Sequence, residues 1–413
     1  MIEFERFTLD NGLKVIYHQD KSTPLVCMNI LYDVGARDEH PEHTGFAHLF
    51  EHLMFGGSVN IPNYDEPLQM VGGENNAFTN NDITNYYLTL PADNAETAFW
   101  LESDRMLSLA FTPKSLEVQR QVVIEEFKQR YLNQPYGDVW LLLKPLAYKV
   151  HPYQWNTIGK EISHIENATM EEVKDFFTRF YHPANAIMVV AGNIELHQVK
   201  DWSKKWFGPI SPQDKLPRNL PQEPLQTEAR KLVVHKDVPA NSIYKAWHIC
   251  KRTDEAYRHF DLMSDILSNG KSSRMYLNLV KEKKMFTEIN AYVSGDIDNG
   301  LFIVSGKLTA GTNIDTAELE IDKAVYQFVF EELEENELQK VKNKVESVLN
   351  FSNTSVLNKA MNLAYYELLG DANLLNKEEQ YYAAISANDI KQTATKYFNA
   401  NNAVTLHYLM NEK

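Results

Sequence analysis

Residues 44–57 read Thr-Gly-Phe-Ala-His-Leu-Phe-Glu-His-Leu-Met-Phe-Gly-Gly and contain the string His48-x-x-Glu51-His52. At about 100° per residue, Phe46, Leu49, Phe50, Leu53 and Met54 recur as one apolar stripe of a helix, and His48, Glu51 and His52 share the opposite face. Two imidazoles one turn apart can grip a single cation, and the carboxylate between them points the same way. Thr44 is expected to cap the start of this helix and Gly56-Gly57 to end it. A solvated face would more often carry Lys and Glu than two histidines, so the pattern reads as a metal site.

A zinc ion that does chemistry normally takes three protein ligands and leaves a fourth position for water. The motif supplies two, with Glu51 kept as the base, so a carboxylate from another helix is expected as the third. Thr112-Pro113 opens such a helix, with a cap and a proline in its first turn, expected to run through Tyr131 and to offer Glu117, Glu125 and Glu126. Leu116, Val123 and Phe127 define its buried stripe, and Val122 is expected to widen it. Glu126 falls between Val122 and Val123 on the wheel, whereas Glu125 falls on the far side. A carboxylate on a buried face needs a partner, either a metal or a salt bridge. Gln119, two turns earlier on the same face, could hydrogen-bond beside the site.

These elements need a scaffold. Phe4 to Leu9, the turn Asp10-Asn11-Gly12, and Leu13 to Tyr17 read as a hairpin, Leu25 to Val34 as another strand, and Asn85 to Leu90 as a further β-rich stretch. The proline-rich run 213–228 is expected to link a first domain, residues 1–212, to a second, residues 229–413. The segments around Asn185 and Asn402 echo one another at an offset of 402 − 185 = 217, each a helix leading into an apolar strand. Two similar α+β domains, each a mainly antiparallel sheet packed with helices, are therefore expected.

A chain of 413 residues exceeds the roughly 250 to 300 that one core organises. Its net charge of −15, spread along the chain, argues against binding the phosphate backbone of nucleic acids. Cys27 and Cys250 lack metal-ligand spacing and are expected to be buried free thiols. No stretch approaches the roughly 18 apolar residues of a membrane span, and a cytoplasmic enzyme is expected, or a periplasmic one if a leader has been removed.

The chain resembles the pitrilysin or insulinase family of inverted-motif zinc metallopeptidases, in the single-length form similar to mitochondrial processing peptidase subunits. The family's Glu/Gln-Arg-x-Val-Val-x-x-Glu matches Gln119-Arg120-Gln121-Val122-Val123-Ile124-Glu125-Glu126 and again selects Glu126. The likeness runs on through Gly72 to Thr79, Thr84 to Tyr87, Phe180 to Asn185 and Gly270 to Tyr276. It implies zinc on His48, His52 and Glu126, with Glu51 as general base in peptide hydrolysis. It also implies a strand in which Asn76, Ala77, Phe78 and Thr79 pair with substrate backbone by β-augmentation, and a fold forming half of a clamshell. A zinc endopeptidase for short or unfolded peptides is thus expected. A non-catalytic scaffold or peptide-binding subunit of the same architecture is the alternative.

One departure stands out. Many active relatives carry an Arg, and a Tyr seven positions later, where this chain has Val280 and Thr287. A valine has no charge and a threonine hydroxyl is too short to replace a phenol. The expectation is a heterodimer with a paralogous subunit that carries the Arg/Tyr pair. A self-sufficient monomer or a homodimer is the alternative, with Lys281, Lys283 or Lys284 as substitute donors.

Overall fold

The expected opening hairpin forms: β1 (Glu5–Thr8) pairs antiparallel with β2 (Lys14–Gln19), and the turn between them is closed by Gly12 at φ +90°. A side chain at Gly12 would collide with Ala184, so the turn needs glycine for space as well as for its left-handed backbone. The structure is a computed structural model and describes residues 1–411.

Four more strands complete the first sheet: β3 (Leu25–Tyr32), β4 (Glu74–Thr79), β5 (Thr84–Pro91) and β6 (Ala186–Gly192). The order is β1-β2-β6-β3-β5-β4, antiparallel except between β2 and β6. Strand β6 is buried at every residue, as a strand covered on both faces must be. Asn29 and Asn85, buried side by side on β3 and β5, satisfy each other through paired amide hydrogen bonds. β4 ends the sheet, so one of its edges has no strand partner.

The second sheet contains β7 (Arg230–Lys236), β8 (Ser242–His248), β9 (Phe286–Val293), β10 (Leu301–Leu308) and β11 (Ala403–Met410), in the order β7-β11-β8-β10-β9. Only the β7–β11 pair is parallel. The duplication read near Asn185 and Asn402 extends through the fold: β3, β5 and β6 start 242 − 25 = 217, 301 − 84 = 217 and 403 − 186 = 217 residues before β8, β10 and β11. Both domains are therefore α+β with mainly antiparallel sheets.

The compact units do not coincide with the two halves of the sequence. The first comprises Met1–Lys128, Trp155–Pro221 and Leu349–Lys377; the second comprises Gln129–Gln154, Gln222–Val348 and the segment from Glu378. Each half gives one helix to the other half's sheet. Val356–Leu368 buries Ala360, Leu363 and Ala364 against Cys27, Leu31, Ile187 and Val189 of the first sheet. Val139–Ala147 buries Val139, Leu143 and Ala147 against Ala246, Ile303, Val404 and Leu406 of the second. These helices also start 356 − 139 = 217 residues apart. Residues 211–227 have no regular structure, as their prolines require. Both cysteines are buried free thiols. No helix among the described residues is long and apolar enough to cross a membrane.

Candidate metal centre

The motif helix spans Phe46–Leu53, and its stripe of Phe46, Leu49, Phe50 and Leu53, continued by Met54, is buried throughout. A second helix, Met170–Phe180, presses on that stripe. Its capping box joins Thr169 to Glu172, and Phe176 stacks on Phe50 with ring centroids 5.0 Å apart. Tyr86 of β5 donates its hydroxyl to the Phe50 carbonyl at 3.4 Å. The apolar face is thus held from two sides and the polar face is left for His48, Glu51 and His52.

The start of the motif helix differs from expectation. Thr44 is not the cap: its buried hydroxyl accepts the Lys160 N–H at 2.8 Å and lies 2.8 Å from His164 Nδ1. Gly45 takes that place with φ +90°, and a Cβ there would meet the Ile158 carbonyl and the Ile165 side chain at 2.8 Å. The first free N–H groups are instead taken by Glu39, whose buried carboxylate accepts from Gly45 at 2.9 Å and Ala47 at 2.8 Å. Burial pushes the Glu39 carboxyl up to about 8 even against these two bonds. Its role depends on tertiary packing, and the sequence offers only an acid a few residues before the helix as a hint.

The second helix of the site, Pro113–Phe127, starts as expected, with Thr112 accepting the Ser115 N–H at 3.0 Å, and continues through a wider π-type turn, Lys128–Leu132. Leu116, Val123 and Phe127 are buried, but Val122 is 44% exposed and Ile124 completes the stripe in its place. The covered face is therefore rotated away from Val122. Glu126 and Gln119 consequently lie half-buried at its border. Glu117 is exposed and paired with Arg120 at 2.8 Å, and Glu125 is exposed and paired with Lys128 at 2.8 Å. Gln119 forms no side-chain hydrogen bond to the cluster among the described residues.

His48, His52 and Glu126 come together. Their ligand atoms all lie within 4.8 Å of one another, and Glu126 Oε2 is 3.6 Å from His48 Nε2 and 3.5 Å from His52 Nε2. The two imidazoles stand edge to face, with centroids 4.9 Å apart. Bonds of about 2.0–2.2 Å in a tetrahedron place ligand atoms about 3.4 Å from one another, so the donor set fits zinc in both chemistry and spacing. Glu51, on the same helix face, faces Thr79, which hydrogen-bonds to it through both side chain and backbone. Burial raises the Glu51 carboxyl above its ordinary value, and the nearby Glu126 adds to this, while Thr79 and His52 oppose it.

Asn76, Ala77, Phe78 and Thr79 lie on the edge strand β4, with Asn76 and Phe78 exposed and Ala77 and Thr79 half-buried. In the second unit, Val280 packs against the hydrophobic core, and the Thr287 hydroxyl is committed to the Lys307 carbonyl at 3.2 Å. Lys283 pairs with Glu320, and Lys284 sits in the left-handed region at φ +52°.

Comparison with known proteins places these features in context. Residues 14–151 match the family model described as insulinase, peptidase family M16, and residues 167–345 match that of the peptidase M16 inactive domain. The chain is 29% identical over 414 residues to the zinc protease PqqE of Helicobacter pylori, covering 97% of this chain and 92% of that protein. It superposes on the crystal structure of a protease from Helicobacter pylori with a TM-score of 0.93 at 28% identity, covering 99% of this chain and 100% of that one. It is also 26% identical over 226 residues to the beta subunit of the mitochondrial-processing peptidase of Saccharomyces cerevisiae, covering 54% of this chain and 48% of that subunit.

Proposed function

The chain belongs to peptidase family M16, and from that premise we propose that it is a zinc-dependent endopeptidase acting on short or unfolded peptides, with His48, His52 and Glu126 as ligands and Glu51 as general base. The observation that carries this reading is the meeting of three ligand atoms, with Glu126 Oε2 at near-tetrahedral spacing from both imidazoles, beside a carboxylate hydrogen-bonded to the edge strand.

A bound zinc ion supplies Lewis-acid polarisation of the scissile carbonyl and of a water molecule. Glu51 accepts the proton of the attacking water on a carboxylate oxygen and passes it to the leaving amine as the C–N bond breaks. Its raised carboxyl suits both acceptance and return of that proton. Thr79 fixes the Glu51 side chain, so the strand that aligns the peptide also orients the base. The free edge of β4 offers backbone N–H and C=O groups to an extended peptide, a mode of binding that demands an unfolded segment and little sequence preference.

The proposed partner is a paralogous subunit carrying the Arg/Tyr pair. Val280 packs against a core and Thr287 has spent its hydroxyl, which supports a division of labour, and a similar relative is named as a subunit. The test is cleavage of a quenched peptide library with zinc content measured in parallel, for the chain alone and mixed with a paralogue. Weak activity rescued by the paralogue supports the heterodimer. Full activity alone refutes it, and stoichiometric zinc without any turnover leaves a peptide-binding subunit.

A further inference from the structure

The motif helix and the edge strand meet directly where Thr79 hydrogen-bonds to Glu51, and a site that uses both also needs the start of the helix and the end of the strand held in register. One short segment touches both. Ala36 and Arg37 donate backbone N–H groups to the carbonyls of Asn80 at 3.1 Å and Asn81 at 2.9 Å, at the tip of the β4–β5 hairpin. The buried Arg37 guanidinium pairs with Asp82, also buried, at 2.9 Å. Two residues on, Glu39 accepts the N–H groups of Gly45 and Ala47 at the start of the motif helix. The Trp155 indole N–H fastens the segment from a third side by donating to the Ala36 carbonyl at 2.9 Å.

We propose that Ala36–Glu39 is the positioning segment of the site. Glu39 sets the motif helix through Gly45 and Ala47, and Arg37 with Asp82 sets the end of β4 along which a peptide would lie. This rests on the zinc-peptidase reading and adds residues that are neither ligand nor base. Ala47 immediately precedes His48, so any shift of its N–H displaces the imidazole that must meet Glu126. Loss of a contact that orients a ligand side chain typically weakens metal affinity about 10–100-fold, and Glu39 acts on the residue next to such a ligand. Glu39→Gln keeps the shape but exchanges one accepting oxygen for an NH₂ group, which strands one N–H of the first helical turn.

The experiment measures the zinc dissociation constant of the full chain by chelator competition, the absorption spectrum of its cobalt form, and KM and kcat for a peptide. Glu39→Gln is expected to weaken zinc binding by about tenfold or more and to alter the cobalt spectrum. Asp82→Asn is expected to leave both unchanged and to raise KM, with any fall in kcat entering through Thr79 and Glu51. Should Glu39→Gln fail to fold, Glu39→Asp, which keeps the carboxyl group and loses reach, is held to the same threshold; Arg37→Lys replaces Asp82→Asn in the same way. Wild-type zinc affinity and cobalt spectrum in the Glu39 variant would overturn that arm, and an unchanged KM would overturn the other. A wild-type chain that binds no zinc would overturn the peptidase reading as well, which separates the two failures.

Discussion

The chain gathers histidine and carboxylates in two places, one in each unit, and fills them differently. In the first unit, the Nε2 atoms of His48 and His52 converge on Glu126 Oε2. In the second, Asp315, Glu318 and His407 come equally close, yet Lys231 and Lys245 occupy both oxygens of Glu318, at 3.0 and 2.9 Å. Burial alone would raise the Glu318 carboxyl, but the His407 hydrogen bond and the two ammonium groups hold it well below the usual carboxylate range. The second cluster has brought its cation with it from the sequence; the first sets two imidazoles around a carboxylate, the arrangement of the proposed metal site. Proximity of ligand types does not by itself make a metal site: the deciding feature is what already neutralises the carboxylate.

The duplication sharpens the contrast. At the offset of 217, the positions of His48, Glu51, His52 and Glu126 are held by Asp265, Ser268, Asn269 and Asn343. Ser268 Oγ accepts the Ala291 N–H of β9 at 2.7 Å, as Glu51 meets Thr79 of β4, so the architecture is kept. The chemistry is not: Asn269 donates to Asp265 at 2.6 Å, and Lys344 pairs with Asp265 at 3.1 Å. Side chains suited to holding two helices together stand where the first unit has the proposed ligands and base.

The largest effect is expected from removing the internal cation. Lys245 is buried between Glu318 and Asp322, so Lys245→Ala should destabilise the protein by about 3–5 kcal/mol in chemical denaturation, the cost of stranding a buried charge. A loss close to zero would mean that lysine is not what neutralises the second cluster. Next comes Glu51→Gln, expected to keep zinc and to lower peptide turnover by at least ~100-fold. Turnover within tenfold of the parent would show that the base lies elsewhere. Lys284→Gly should stabilise by about 0.5–1 kcal/mol, since glycine relieves a left-handed backbone, and should leave zinc content untouched. The smallest effect belongs to Asp265→Ala, which breaks a partly exposed ion pair worth at most about 1 kcal/mol. A change in zinc content in that variant would break the distinction between the two helix pairs.

The motif face was legible because an 8-residue amphipathic helix shows its period in any sequence window, and wheel angle ranked Glu126 above Glu125. The wheel gives angles but does not say which flank a neighbouring element covers, which is why Val122 was expected to be buried and is exposed. Thr44 looked like a cap because capping residues are recognised locally. The actual acceptor, Glu39, belongs to a segment held in place by Trp155 and the hairpin tip, contacts that no local sequence window shows. The contiguous halves failed for the same reason. Val139–Ala147 and Val356–Leu368 are ordinary apolar helices, and nothing local says which sheet each will cover.

The most direct test of the central claim is the zinc content per chain of the wild type, His48→Ala, Glu126→Gln and Asp265→Ala, measured after dialysis against trace zinc. One zinc per chain in the wild type and in Asp265→Ala, with loss in both His48→Ala and Glu126→Gln, is the predicted result. Stoichiometric zinc in His48→Ala, or a second equivalent in the wild type that disappears with Asp265, would contradict it.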